Sequence, residues 1–357
     1  MTVVHLRHAE PGLLVIAADG TPLVTDAAPG LDVLVLEVLG GHLSWRLFDS
    51  DVVPAAVLDD VEAAQAWVWA VYGEEVALAV ADNRPRAVTA APAREETAAA
   101  LRRLAYAHWA SRWWPASTVD GIPALDQRLL LEEIELLTAT CEMVIDEDAD
   151  EVFREQEFGA AQTSDDGAPS ISRSPGRAAD YALAAGGADS PEGLIVARGS
   201  GGWDWRLCPP GILDAGEQAV SWQVSRAAGV STVQVSVVAA PDCRRLVPEH
   251  LRPYARVRAQ LRSPGGTDHD HAAAADVEMR LHLRGDVWTG SSTIPDTSDK
   301  SPEVTVFVPG VGPADHPDDE SAVRDRIRRF VRARLTEHAG DQRLTAETAA
   351  AERDEDF

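Results

Sequence analysis

The 357-residue sequence predicts an α+β N-terminal domain followed by a mainly antiparallel β-sandwich with a C-terminal helix. Three observations carry that expectation. Apolar runs punctuated by hairpin signals fill residues 2–90, and two long amphipathic stretches follow to residue 145. After a gap rich in Ala, Gly, Ser and Pro, about seven short alternating runs return, and a last helical stretch closes the pattern. The length suits roughly two domains at ~150 residues each.

Within the first domain (1–145), "VVHLRHAE" opens as a strand. "LLVIAADGTPLVT" turns at Asp19-Gly20 and "LDVLVLEVLGGHLSWRLF" at Gly40-Gly41, both hairpin signals. In "LDDVEAAQAWVWAVYG" the period changes: Leu58, Val61, Val68 and Val71 fall at helical spacing, with Asp59 or Asp60 as N-cap and Gly73 as stop. "EEVALAVADNRPRAVT" reads as a return to strand. A helix over residues 94–113 ends ahead of Pro115. A second, capped by Asp126, runs to residue 145 with the stripe Leu130, Ile134, Leu137, Cys141 and Val144.

Residues 146–192 read as an acidic, low-complexity linker, because their composition buries too little apolar surface to offset the entropy of ordering. The second domain (193–338) holds "GLIVARG", "WDWRL", "AVSWQVS", "STVQVSVVA", "YARVRAQLR", "DVEMRLHLR" and "EVTVFVP" as strands. Its closing helix, 318–338, starts with Asp318-Asp319-Glu320 and gains arginines towards its end, matching the helix dipole. Residues 339–357 read as a disordered acidic tail.

Composition narrows the function classes. Hydrophobic residues make up 45% and charged ones 25%, as in ordinary globular proteins. A net charge of −26 repels nucleic acid and anionic membrane, so neither is expected as a partner. Lys300 is the single lysine, the mark of a GC-rich genome. Cys141, Cys208 and Cys243 form no CxxC pattern, which argues against a disulfide framework and a zinc ribbon. No apolar run nears the ~20 residues of a membrane span, and no secretory leader is visible, so a cytoplasmic protein is expected.

Arg7-His8-Ala9-Glu10, at the end of the first strand, resembles the opening signature of the histidine phosphatase superfamily. The resemblance implies a phosphohydrolase in which His8 takes the phosphoryl group and Arg7 holds its oxygens. The family's second half-signature has only an echo in Pro92, Arg94 and Thr97-Ala98. Its second histidine has no counterpart, since His42 falls in a hairpin and His108 within a helix. Stabilising a transferring phosphoryl group takes several converging cations. The phosphohydrolase is therefore the alternative reading.

Other stretches offer surfaces rather than chemistry. "LAYAHWASRWWPAS" places Tyr106, Trp109 and Trp113 on one helical face, the pattern of a buried helix. Arg112, Trp113 and Trp114 at its end are the residue types of an interface hot spot. Trp203 and Trp205 read as sandwich core, and the glycines before them as a turn without phosphate-loop spacing. Asp268, His269, Asp270 and His271 are consecutive in a loop and do not converge as metal ligands must.

Alternation in "YARVRAQLR" and "DVEMRLHLR" predicts a hairpin with one apolar and one basic face, the latter carrying Arg256, Arg258, Arg280 and Arg284. Such a face suits an acidic partner or neighbouring carboxylates. No catalytic triad, Walker motif, dinucleotide fingerprint or Cys/His cluster is present, so no cofactor or metal is expected. The expectation is a non-enzymatic, cytoplasmic adaptor that binds another protein. "RWWPAS" and "GIPALD" resemble accessory proteins that high-GC bacteria encode beside MoxR-type AAA ATPases and von Willebrand A proteins; this implies an AAA-type ATPase system as the partner.

Overall fold

A computed structural model describes residues 2–9, 12–21, 23, 30–49, 53–141, 194–243, 246–260, 274–295, 302–312, 320–336 and 343–355. The whole of the expected linker, 146–192, lies outside these residues. The chain divides into two compact units, interleaved in sequence. The first comprises Met1–Ser111, Asp126–Ser172 and Ala339–Ala349; the second comprises Arg112–Leu125, Arg173–His338 and Ala350–Phe357.

The first unit holds an antiparallel sheet of β1 (Thr2–His8), β2 (Leu14–Ala17), β3 (Val33–Val38), β4 (Gly41–Arg46), β5 (Ala55–Leu58) and β6 (Arg86–Ala90), in the order β3-β4-β5-β2-β1-β6. Gly40 and Gly41 make the expected β3–β4 hairpin. Both have positive φ, and a Cβ on Gly41 would lie 2.1 Å from the Val57 carbonyl oxygen, so only glycine fits. The turn at Asp19-Gly20 forms, and β2 pairs with β1 and β5; most of the expected second arm, residues 22–25, lies outside the described residues.

Helix α1 (Val61–Tyr72) starts where the sequence places it: the Asp60 carboxylate accepts from the N–H groups of Glu62 and Ala63. Gly73 then turns the chain into α2 (Glu74–Ala81), a helix where the alternation of Val76, Leu78 and Val80 predicts a strand. Val76, Ala79 and Val80 are buried at helical spacing while Leu78 faces outward. The alanines and the acidic first turn favour this outcome over local β propensity.

Helix α3 (Glu95–Trp113) buries Leu101, Leu104, Tyr106 and Trp109, with the Trp109 indole donating to the Leu31 carbonyl at 2.7 Å. Helix α4 (Gln127–Thr140) is capped by Asp126 as expected and ends earlier than predicted.

In the second unit two antiparallel sheets form. The larger has β7 (Leu194–Gly201), β8 (Val220–Ala227), β9 (Val230–Val238), β12 (His282–Arg284) and β13 (Val287–Ile294), in the order β12-β13-β9-β8-β7; the smaller has β10 (Tyr254–Gln260), β11 (Ala274–Arg280) and β14 (Glu303–Phe307), in the order β11-β10-β14. Val233, Val235 and Val237 are buried on one, Ala255 and Val257 on the other. "WDWRL" is not a strand. Asp204 caps a single 3-10 turn, Trp205–Leu207, which still buries Trp203, Trp205 and Leu207.

Helix α5 (Ser321–Thr336) buries Ile327 and Val331 together with Arg324 and Arg328. The expected disordered tail is corrected by α6 (Thr345–Glu355). Leu344, Ala346, Glu347 and Ala350 are buried. The Glu347 carboxylate accepts from the Leu344 N–H and from the Tyr106 hydroxyl. That is half of a capping box built on a buried acid, which a composition-based reading of an acidic tail overlooks.

Candidate functional site

The Arg-His-Ala-Glu stretch ends β1. Arg7 and His8 are exposed there, and Glu10 lies outside the described residues. β1 is antiparallel to both β2 and β6, unlike the strand-helix-strand arrangement around a parallel sheet that the phosphatase resemblance implies. His5 reaches Asp19 at 3.4 Å. His42 sits near the start of β4 and His108 within α3, so neither stands at the end of a later strand, where the resemblance implies a phosphate-pocket histidine.

Arg112 stacks on the Trp113 ring at 4.9 Å, and Trp114 donates from its indole to the Pro123 carbonyl at 2.9 Å. The three therefore cluster at the start of segment 112–125, with both tryptophans half-buried. Asp214 holds that segment. It is fully buried, and its carboxylate accepts from the Ser117 hydroxyl (2.6 Å), from the N–H groups of Thr118 (2.6 Å) and Val119 (3.4 Å), and from Gly216 N–H (2.8 Å). Burial pushes its pKa up, and these hydrogen bonds oppose the shift without reversing it.

Arg328, also buried, sits nearby in sequence-distant company. It donates to Glu217 at 2.8 Å, pairs with Asp325 and reaches Asp120 at 3.4 Å. Arg332 adds a second bridge to Asp120 at 3.3 Å. These arginines dock α5; they are anchors of the fold.

The predicted hairpin of β10 and β11 forms in register, with Arg256 opposite Glu278 and Arg258 opposite Asp276. Each arginine meets the carboxylate across from it, at 2.7 Å and 3.0 Å, and Arg280 meets Glu249 at 2.8 Å. Arg258 holds the Asp276 carboxyl below its usual range, and Arg280 does the same for Glu249. Arg284 does not join them. β11 ends at Arg280, and at Leu281 the chain leaves the small sheet for β12 of the large one. The structure thus brings together Arg256, Arg258 and Arg280, each with a carboxylate of its own.

Two surfaces escaped the sequence reading. β7 closes the large sheet, so among the described residues one of its edges has no strand beside it. Leu194, Ile195 and Val196 on it are 75%, 52% and 47% exposed. The signal was present as the apolar run "LIV" in a segment read simply as a strand. The second is a groove of about 470 Å³ along edge strand β6, lined by Val3, Glu75, Leu78, Arg86, Ala87, Val88 and Thr89. It depends on α2 being a helix.

Among the described residues no group of three or more His, Cys, Asp or Glu side chains is placed to hold a metal. The Asp268–His271 tract lies outside them. No described helix is long and apolar enough to cross a membrane. Set against known protein families, curated proteins and solved structures, the chain matches none of them.

Proposed function

We propose that this chain is a non-enzymatic adaptor that binds another protein, and that the open edge of β7 is where a partner strand adds. The carrying observation is the run Leu194, Ile195, Val196: three consecutive apolar residues exposed on an edge strand. An extended edge presents unpaired backbone donors and acceptors, and natural proteins guard such edges with charge, proline or a cover. β7 has a bulge between Ile195 and Ala197 and a single charge, Arg198, so its guard is slight. Partners that add a strand draw affinity from main-chain hydrogen bonds and selectivity from alternate side chains.

Our reading takes the two antiparallel sheets of the second unit as the layers of a sandwich. β11 leads through Leu281 into β12 and β13, and a Cβ on Gly290 of β13 would lie 2.8 Å from a Leu281 methyl. A bacterial AAA-type ATPase system is the setting that the sequence resemblance suggests, and the cytoplasm is the compartment we propose for it. The charge of −26 favours a protein over nucleic acid as partner.

The test is Ile195→Lys, which puts a charge on the edge while leaving the buried face untouched. Cross-linking in the native cell should capture a defined protein with the wild-type chain and lose it with the variant, at an unchanged Tm. The same captured protein at the same yield from both would overturn the reading.

A further inference from the structure

Strand β6 closes the sheet of the first unit, and among the described residues no strand lies along its outer edge. Residues Ala87 to Ala90 carry neither charge nor proline, the usual guards of an open edge. The groove of about 470 Å³ runs beside them. Strand register assigns its two sides. Thr89 stands opposite Val3 and Val88 opposite Val4, so Thr89 shares one face with Val3 and Val88 shares the other with buried Val4. Val3 and Leu78 are both more than half exposed.

The direction of α2 decides where the charges of the groove lie. A Cβ on Gly73, just ahead of α2, would sit 2.1 Å from the Ala91 carbonyl oxygen, so α2 begins where β6 ends. Just past the other end of the helix, Asp82 reaches Arg86, the first residue of β6, at 3.6 Å. Helix and strand therefore run in opposite directions. Glu75 belongs to the end of the groove near Ala90, Arg86 to the opposite end, and Leu78 with Val88 to the middle.

An edge with opposite charges at its two ends and an apolar centre is complementary to itself turned through a half-circle. Rotation about an axis through Val88 sets that residue against its own counterpart. It also sets Arg86 against Ala90 of the second copy, beside that copy's Glu75. Every contact is then made twice, as in any isologous interface. The groove holds one charge of each sign on a chain of net charge −26, so two such chains approach here with the least repulsion. We propose that the chain forms a two-fold dimer through β6, which joins two six-stranded sheets into one. Arg86 of each copy exchanges its half-exposed partner Asp82 for Glu75 of the other, and the two Leu78 side chains meet over the joint. A short edge buries little area, so this dimer dissociates on dilution.

Sedimentation of the full chain over a range of concentrations should show a monomer–dimer equilibrium. Arg86→Glu and Glu75→Arg should each weaken the dimer by about tenfold, because both symmetric ion pairs become repulsions. Leu78→Lys, at an exposed site, should weaken it as well. The decisive arm mixes the two charge variants. One then has two acidic ends and the other two basic ends, and they should pair with each other at wild-type strength. A wild-type chain that is monomeric at every concentration, a dimer indifferent to all three substitutions, or a mixture that stays monomeric would each overturn the proposal.

Discussion

Asp214 carries four hydrogen bonds on one carboxylate that has no exposure to water, so its protonation state is a stability term. Its pKa is raised by burial in the folded chain. A group raised in this way contributes stability below its unfolded pKa, and loses it as pH rises through the folded value. The wild-type advantage over Asp214→Asn should therefore be largest in acid and shrink towards neutral pH in a series of thermal melts. A gap that stays constant with pH would refute this. Asp214→Ala, which strands several donors, should cost on the order of 3 kcal/mol. None of this was legible in the sequence, because Ser117 lies 97 positions from Asp214. Asp60 and Asp126 were legible, because an N-cap partner is two or three residues away.

Elements with a clean period were read correctly, and those whose pattern serves two outcomes were not. The β10–β11 hairpin could be read from strict alternation, but which residues pair could not, since alternation alone fits several registers. Register is what turns a basic face into a ladder of opposite charges. Arg256→Glu should thus place like charges across the strands and lower stability slightly, and adding Glu278→Arg should restore it; exposed pairs of this kind couple by ~0.2–1 kcal/mol. A double-mutant cycle in urea measures this, and additive losses would show that the pair is uncoupled. The break at Leu281 was invisible because "DVEMRLHLR" keeps its alternation while the strand changes sheets. Gly290 permits that passage: a Cβ there would meet Leu281 at 2.8 Å and the Arg280 carbonyl oxygen at 3.0 Å. Gly290→Ala should cost about 1–3 kcal/mol by crowding, read as a lower urea midpoint. A wild-type midpoint would mean the two strands part easily.

At the scale of the whole molecule, the sequence reading divides the chain end to end, whereas the compact units share it in pieces. Residues 339–349 belong with the first unit although more than a hundred residues of the second precede them. Their attachment is specific. The Tyr106 hydroxyl donates to Glu347 at 2.7 Å, Arg103 donates to the Arg343 carbonyl at 2.8 Å, and Glu133 accepts from the Thr345 N–H at 2.6 Å. Removing everything after residue 338 takes these hydrogen bonds from Tyr106, Arg103 and Glu133, and each such bond contributes ~0.5–1.5 kcal/mol. If the tail were a disordered appendage, the truncation would be silent. The structure predicts instead that amide exchange quickens in α3 and α4, whose side chains lose their bonds, while β8, β9 and β13 keep wild-type protection. Hydrogen-exchange mass spectrometry resolves the two cases, since local opening is read segment by segment. Unchanged exchange across α3 would place α6 outside the first unit's cooperative fold; equal quickening in β8 and β9 would mean that the two units unfold as one.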